Sequence, residues 1–351
     1  METDQYIGVD LHKASFQACA VNRTGERLWE ARFPRTPEDT CAFVARCSRQ
    51  TAVAVEATTP TWSFVDQIVA QVGHVCVVDT RKTKLKAGYA AKTDRLDARR
   101  LADALRRESV VSIYVPPLAI RELRELCRHR LMLTHLRTRV LQRLRALLLR
   151  QGLGDPPTSR LRSAAWQAWL DQIVLPPHAQ RALSTMRQID RDLTAQLATV
   201  EADVAREALA DPVVQRLQTV HGIGPVLGLM LRAEIGDIAR FPTPGHLASY
   251  AGLVPQVDSS ANHTHYGRIT KDGSPWLRWA LVEVGVHTLR RRDPLGRWGR
   301  KLAVHKGAMR AQVALAREMC REIMNVWRHA ASSSRGPASL PTLDHHAMIV
   351  L

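Results

Sequence analysis

The 351-residue sequence predicts an α/β domain, a long helical middle and a mostly helical C-terminal domain. Three observations lead there. Short apolar runs alternate with helix-like segments across residues 1–115. No glycine or proline interrupts Ile120–Arg150, where apolar and arginine positions interleave at helical spacing. From Asp211 the chain opens on a glycine-rich turn, passes through polar stretches and ends in a helix over Ala308–His329.

In the first region, Tyr6–Asp10 is an apolar run that ends on an acid. Ser15–Val21 and Arg27–Phe33 read as the next two strands, with Asn22-Arg23-Thr24-Gly25 as the turn between them. Pro37–Arg49 suits a helix, Ala52–Glu56 a buried strand, Trp62–Val72 a second helix and His74–Val78 another strand. Asp94–Arg107 suits a helix with Leu96, Leu101 and Leu105 on its inner side. A three-strand meander followed by strand–helix alternation is the pattern of an RNase H-like fold.

In the middle region, 116–210, Leu123, Leu126, Leu133, Leu136, Val140, Leu144 and Leu147 form a candidate buried stripe. Nine arginines crowd positions 121 to 150 against two acids, Glu122 and Glu125. A loop near Gly152–Pro157 and a short helix around Trp166 lead to a second long helix, Pro177–Leu209. Two long helices so joined imply an antiparallel hairpin or a dimerising coiled coil. The third region, 211–330, contains His221-Gly222-Ile223-Gly224 ahead of an apolar helix, Val226–Glu234, in the manner of a helix-hairpin-helix. A polar loop is expected from Asp258 to Gly273, and residues 331–351 read as a flexible tail.

A formal charge of +17 favours a polyanionic partner, with nucleic acid the commonest. No apolar run reaches the roughly 20 residues that span a bilayer, so a membrane is not the expected partner. The acidic start, Met1-Glu2-Thr3-Asp4, has no signal-peptide character. Six scattered cysteines without a CxxC pair argue against zinc ribbons and disulfides and fit a reducing cytoplasm.

The sharpest chemical signal is acidic. Asp10 and Glu56 end strands that lie side by side in such a sheet, and Asp94 and Asp97, three apart, share a helix face. Carboxylates forced together repel unless a cation is present, and hard oxygen ligands favour magnesium, with manganese as a substitute. Each acid taken alone also has a structural reading, since an acid at a helix start complements the dipole and Asp97 has arginines at 99 and 100 to pair with.

Tyr6-Ile7-Gly8-Val9-Asp10-Leu11-His12-Lys13, Ala54-Val55-Glu56-Ala57-Thr58 and Lys92 through Ala102 closely resemble the DEDD transposases of the insertion sequence 110 family. So do Val220-His221-Gly222-Ile223-Gly224-Pro225, Leu247 through Pro255, Gly267 through Gly273 and Leu277-Arg278, in the same order. The resemblance implies a RuvC-like metal site at Asp10, Glu56, Asp94 and Asp97. It also implies a serine nucleophile just past Ala251-Gly252-Leu253-Val254-Pro255, where Ser260 aligns best and Ser259 is the alternate. Ala261 stands where the family usually has glycine. The same resemblance implies a DNA transposase acting on element ends and target, a structured guide RNA, a homo-oligomer (dimer or tetramer), and a cytoplasmic, nucleoid-associated place of work.

Glycines at 222 and 224 let backbone approach a phosphate at a helix start, although the motif also reads as a plain helix–helix turn. Arg268, Lys271 and Arg278 flank the serine and are candidates to hold the scissile phosphate. Arg137 and Arg143 represent the basic helix, and Arg290–Arg292 with Arg297, Arg300 and Lys301 form a second basic patch. Trp276, Trp279, Trp298 and Trp327 read as core residues. Two other functions fit some of these features: a RuvC-like junction resolvase or nuclease that uses water, and a nucleic-acid-binding protein with a catalytically dead core. Intact acids at all four positions argue against the last.

Overall fold

The computed structural model describes residues 3–80, 82–83, 93–153, 158, 162–260 and 263–333. The chain divides into two compact units, residues 1–116 and 117–351. Ala261 and the chain beyond Ser333 lie outside the described residues, as does most of the loop expected near Gly152–Pro157.

The first unit is built on a six-stranded sheet. Its strands are β1 (Gln5–Leu11), β2 (Ser15–Val21), β3 (Arg27–Pro34), β4 (Thr51–Glu56), β5 (His74–Val78) and β6 (Ser112–Ile113), in the spatial order β3-β2-β1-β4-β5-β6. The first three form the expected antiparallel meander. β1, β4 and β5 run parallel, with Val9 beside Val55. β6, too short for any periodicity, pairs antiparallel with β5.

Because side chains alternate across a strand, each strand feeds two cores. Ile7, Val9, Phe16, Val53 and Val55 face α1 (Pro37–Val44) and α2 (Thr61–Ile68), around the interlocked rings of Phe16, Phe33, Phe43 and Phe64. Both helices are shorter than the apolar spacing suggests, since turns close them before Arg49 and Val72. The opposite sheet face, with Ala52, Ala54, Cys76 and Val78, packs on α3 (Asp94–Arg106) through Leu101 and Leu105. Leu96, expected on that inner side, is exposed, because it lies in the first helical turn, beyond the edge of the packed stripe. Gly8 fixes how close α3 comes: a Cβ there would lie 1.9 Å from the Ala98 carbonyl oxygen. Only a residue without a side chain fits.

In the second unit, α4 (Leu118–Arg150) and α6 (Pro177–Ala210) form an antiparallel hairpin within one chain. Leu144, Leu147 and Leu148 meet Leu183 at one end, Leu133 meets Leu197 and Val200 in the middle, and Cys127 and Leu131 share a core with Val204 and Ala208 at the other. α5 (Ala164–Gln172) plugs the first end with Trp166 and Leu170. Of the expected stripe, Leu133, Leu144 and Leu147 are buried, Leu123, Leu126 and Val140 half-buried and Leu136 exposed, while Ile120, Cys127, Leu131 and Leu148 are buried as well.

α7 (Pro212–Leu217), α8 (Pro225–Ile235), α9 (Pro244–Tyr250), α10 (Pro275–Thr288), α11 (Pro294–Lys306) and α12 (Ala308–Ser333) complete this unit. The apolar α8 lies in the large core with α10 and α12. The stretch expected to be a polar loop contains a two-stranded hairpin, β7 (Pro255–Ser260) and β8 (His263–Ile269). Trp327 is a core residue, whereas Trp298 is 43% exposed, because α11 is amphipathic and turns that ring outward. No helix among the described residues is long and apolar enough to cross a membrane.

Candidate active site

The register of the first sheet brings the strand-end acids together. Val9 pairs with Val55, so the next residues, Asp10 and Glu56, are neighbours at the same end of two parallel strands. Both belong to the face that α3 covers. The close approach at Gly8 sets the first turn of α3 over this end, and Asp94 and Asp97 lie in that turn. Thr93 caps the helix, its hydroxyl accepting from the Leu96 N–H at 3.3 Å. The four expected acids are therefore contributed by β1, β4 and α3.

Asp10 is the buried member, 5% exposed. Burial pushes its carboxyl above the usual carboxylate range, and the charges of Glu56, Asp94 and Asp97 push the same way while His12 opposes them. Glu56 accepts a hydrogen bond from the Thr80 hydroxyl at 2.9 Å. Asp97 accepts one from Arg100 at 3.1 Å, the pairing that its sequence neighbourhood suggested. The cluster thus has an excess of negative charge at its buried centre and hard oxygen donors around it, which is what a divalent cation requires. Among the described residues, oxygens of Asp10 and Asp94 and a ring nitrogen of His12 lie within 4.8 Å of one another, a group that could hold such an ion, whereas Glu56 and Asp97 stand outside that group.

The sequence reading missed His12. Its Nε2 lies 3.3 Å from an oxygen of Asp10 and 3.3 Å from an oxygen of Asp94. The signal was present as Asp10-Leu11-His12, since residues two apart at a strand end lie on one side. Beside the cluster, Gln17, Glu30, Arg32, Thr93, Asp94 and Arg95 line an open groove. Arg95 is ion-paired with Glu30 there.

Ser259 and Ser260 end β7, and Ser260 is the last residue of that strand rather than part of a loop. The register sets Ser259 opposite Thr264, Ser260 opposite His263 and Asp258 opposite His265. Val257 and Tyr266, opposite each other in the ladder, are exposed. Arg268 and Lys271 are exposed beside the hairpin. Arg278 instead reaches inward, donating to the Ala251 carbonyl at 3.1 Å. Lys271 and Gly273 take left-handed backbone, and the turn they form lies against Gly252, with the Lys271 N–H on the Gly252 carbonyl. A Cβ at Gly252 would lie 2.2 Å from the Asp272 carbonyl oxygen.

Of the helix-start glycines, Gly224 caps α8 and faces open space, whereas Gly222 has φ of 90° and packs on His287. The arginines of α4 divide into two groups. Arg124 donates to the carbonyls of Ala233 and Glu234, and Arg128 grips the buried Glu234 carboxylate with bonds of 2.8 and 3.1 Å. Arg130 binds Glu201, and burial followed by the nearby Arg162 holds the Arg137 guanidinium below its ordinary value. Arg139, Arg143, Arg145 and Arg150 are exposed. In the second basic patch, Arg291 is held by Asp293 and Glu322, and Arg300 donates to the carbonyls of Leu289 and Arg291. Thiol chemistry has little footing: burial pushes Cys76 up to about 11 and Cys47, Cys127 and Cys320 up to about 12.

Two family models match the chain. Residues 7–151 match one described as a transposase of the DEDD type, and residues 214–298 match the transposase IS116/IS110/IS902 family. The chain is 27% identical to a probable family 20 transposase of Pseudomonas aeruginosa, over 90% of this chain and 94% of that protein. It is 25% identical to the transposase for insertion sequence element IS1111A of Coxiella burnetii, covering 90% and 87% of the two chains. A transposase for element IS1328 of Yersinia enterocolitica is 26% identical, covering 79% and 81%.

Proposed function

The chain belongs to the IS110/IS116 family of insertion-sequence transposases, and from that premise we propose that it cuts and rejoins DNA through a covalent serine–DNA intermediate. The observation that carries the metal half of this reading is placement: Asp10 and Glu56 lie at neighbouring strand ends, and the first turn of α3 brings Asp94 within ligand spacing of Asp10. The strand order around β1 and the parallel β1–β4 pair support a RuvC-like assignment of residues 1–115. Asp10, Glu56, Asp94 and Asp97 would hold magnesium or manganese, and the ion would supply positive charge for the scissile phosphate. Residues 116–210 serve as the basic helical region, and residues 211–330 as the domain that carries the nucleophile.

Ser260 is the nucleophile in this reading, with Ser259 as the alternate. Ser260 closes β7 opposite His263 in the backbone register, and Ser259 stands opposite Thr264. The serine oxygen bonds to phosphorus, the bond from phosphorus to one deoxyribose oxygen breaks, and the departing oxygen gains a proton. A second strand's hydroxyl then reverses the step, so bond energy is conserved for rejoining. Arg268 and Lys271 steer the scissile phosphate, and the Gly222–Gly224 turn receives backbone phosphate at the start of α8. Exposed Arg143 and its neighbours meet the backbone of DNA and of a structured guide RNA, and copies of the chain assemble as a dimer or tetramer around both DNA partners. Such a protein works in the cytoplasm at the nucleoid.

Covalent trapping tests the proposal. Purified protein with its co-purifying RNA, labelled element-junction DNA and magnesium is denatured and examined for protein-linked DNA. Linkage lost in Ser260→Ala and kept in Ser259→Ala is the expected result. Cleaved DNA without linkage in all three proteins would replace it with a metal-dependent nuclease that uses water.

A further inference from the structure

We propose that His12 is a nitrogen ligand of the metal centre and makes it favour a first-row transition ion over magnesium. The inference rests on the acid cluster being a cation site and concerns which ion it prefers. The Nε2 of His12 is 3.3 Å from a carboxylate oxygen of Asp10 and 3.3 Å from one of Asp94. All three donor atoms lie within 4.8 Å of one another. Ligands about 2.1 Å from one octahedral ion stand about 3.0 Å apart when adjacent and about 4.2 Å when opposite. The observed spacing is that of three ligands around one ion, needing only small closing movements.

Placement supports the same conclusion. His12 follows β1 where the chain turns, its backbone N–H donating to the Ser15 carbonyl. The ring is half-exposed and lies between acids from two different elements, so a strand residue and a helix residue share it. An all-oxygen set suits magnesium, which keeps its waters and accepts nitrogen reluctantly, whereas imidazole favours the later divalent ions. A half-exposed ring used only as a counter-charge would move aside for a cation; a ligand would stay and bond to it.

Manganese added to the full-length protein distinguishes these cases, read by pulsed electron paramagnetic resonance on protein carrying 15N-labelled histidine and by titration calorimetry. The expected wild-type spectrum shows coupling of manganese to a histidine nitrogen, absent in His12→Gln. Manganese affinity falls at least about tenfold in that variant while magnesium affinity changes much less. Circular dichroism and the melting transition verify that His12→Gln is folded, as an exposed site predicts. Nitrogen coupling that persists in His12→Gln, or bound manganese with no such coupling in wild type, overturns the assignment of His12. Manganese binding that survives Asp10→Asn unchanged, or no binding to wild type, overturns the acid site itself.

Discussion

Asp10 is in electrostatic conflict with its surroundings. Burial and three neighbouring carboxylates raise its pKa above the ordinary 3.8, with only His12 opposing. For a group raised in the folded state, the contribution to stability is complete below its unfolded pKa and is lost as pH rises through the folded value. In chelator, Asp10→Asn should therefore melt a few degrees above wild type at pH 7, with the gap closing as pH falls toward 4. Magnesium should then raise the wild-type melting temperature and leave the variant unmoved; scanning fluorimetry reads both. At this scale the sequence was informative about acids and blind to their companions. Asp10 and Glu56 lie at or next to a strand end and Asp94 and Asp97 in the first turn of a helix, which is legible from pattern. His12 was not singled out, since a histidine after a strand has many ordinary roles. The requirement for glycine at position 8 depends on where α3 lies, a fact of packing that no local pattern carries.

Among the elements, α4 teaches most. Its arginine count suggested one basic face, but the partners of Arg124 and Arg128 are on α8, more than a hundred residues along the chain. Charge balance within the segment could not reveal them. Glu234 is 1% exposed and accepts from Arg128 and from Ser274, the residue that caps α10. Removing one partner of a buried ion pair costs about 3–5 kcal/mol. Arg128 retains solvent contact, which puts Glu234→Ala at about 3 kcal/mol, at the lower end. Urea unfolding should show the loss in the transition of residues 117–351 and leave that of residues 1–116 unchanged. The β7–β8 hairpin was missed for a different reason. Its segments are mostly polar in sequence, so no apolar alternation marks them, and the backbone ladder alone reveals them.

For the molecule as a whole, the charge of +17 governs association with nucleic acid. Each phosphate contact releases counterions, so affinity falls linearly with the logarithm of salt concentration. Arg143 is exposed, and Arg143→Ala should weaken binding to any sequence alike and flatten the salt slope by about 1. Filter binding across a salt series measures it. Arg124→Ala belongs to the other group and should lower stability before it alters the slope. The division into a mixed α/β part and a mostly helical remainder, and the long hairpin, were readable from periodicity, because apolar stripes of that length have few alternative folds. The partition of arginines between holding the fold and meeting a ligand was not readable, since it is decided by tertiary neighbours.

The central position of β1 in the sheet has a consequence for biosynthesis. The strand made first is paired on one side with its immediate successor and on the other with β4, which leaves the ribosome much later. Asp94 and Asp97 follow later still, on α3. A nascent chain therefore carries Asp10 before either the parallel partner strand or the helix acids exist, so translation sets the moment at which the cluster can assemble. A chain that stops before α3 carries Asp10 and Glu56 but neither Asp94 nor Asp97.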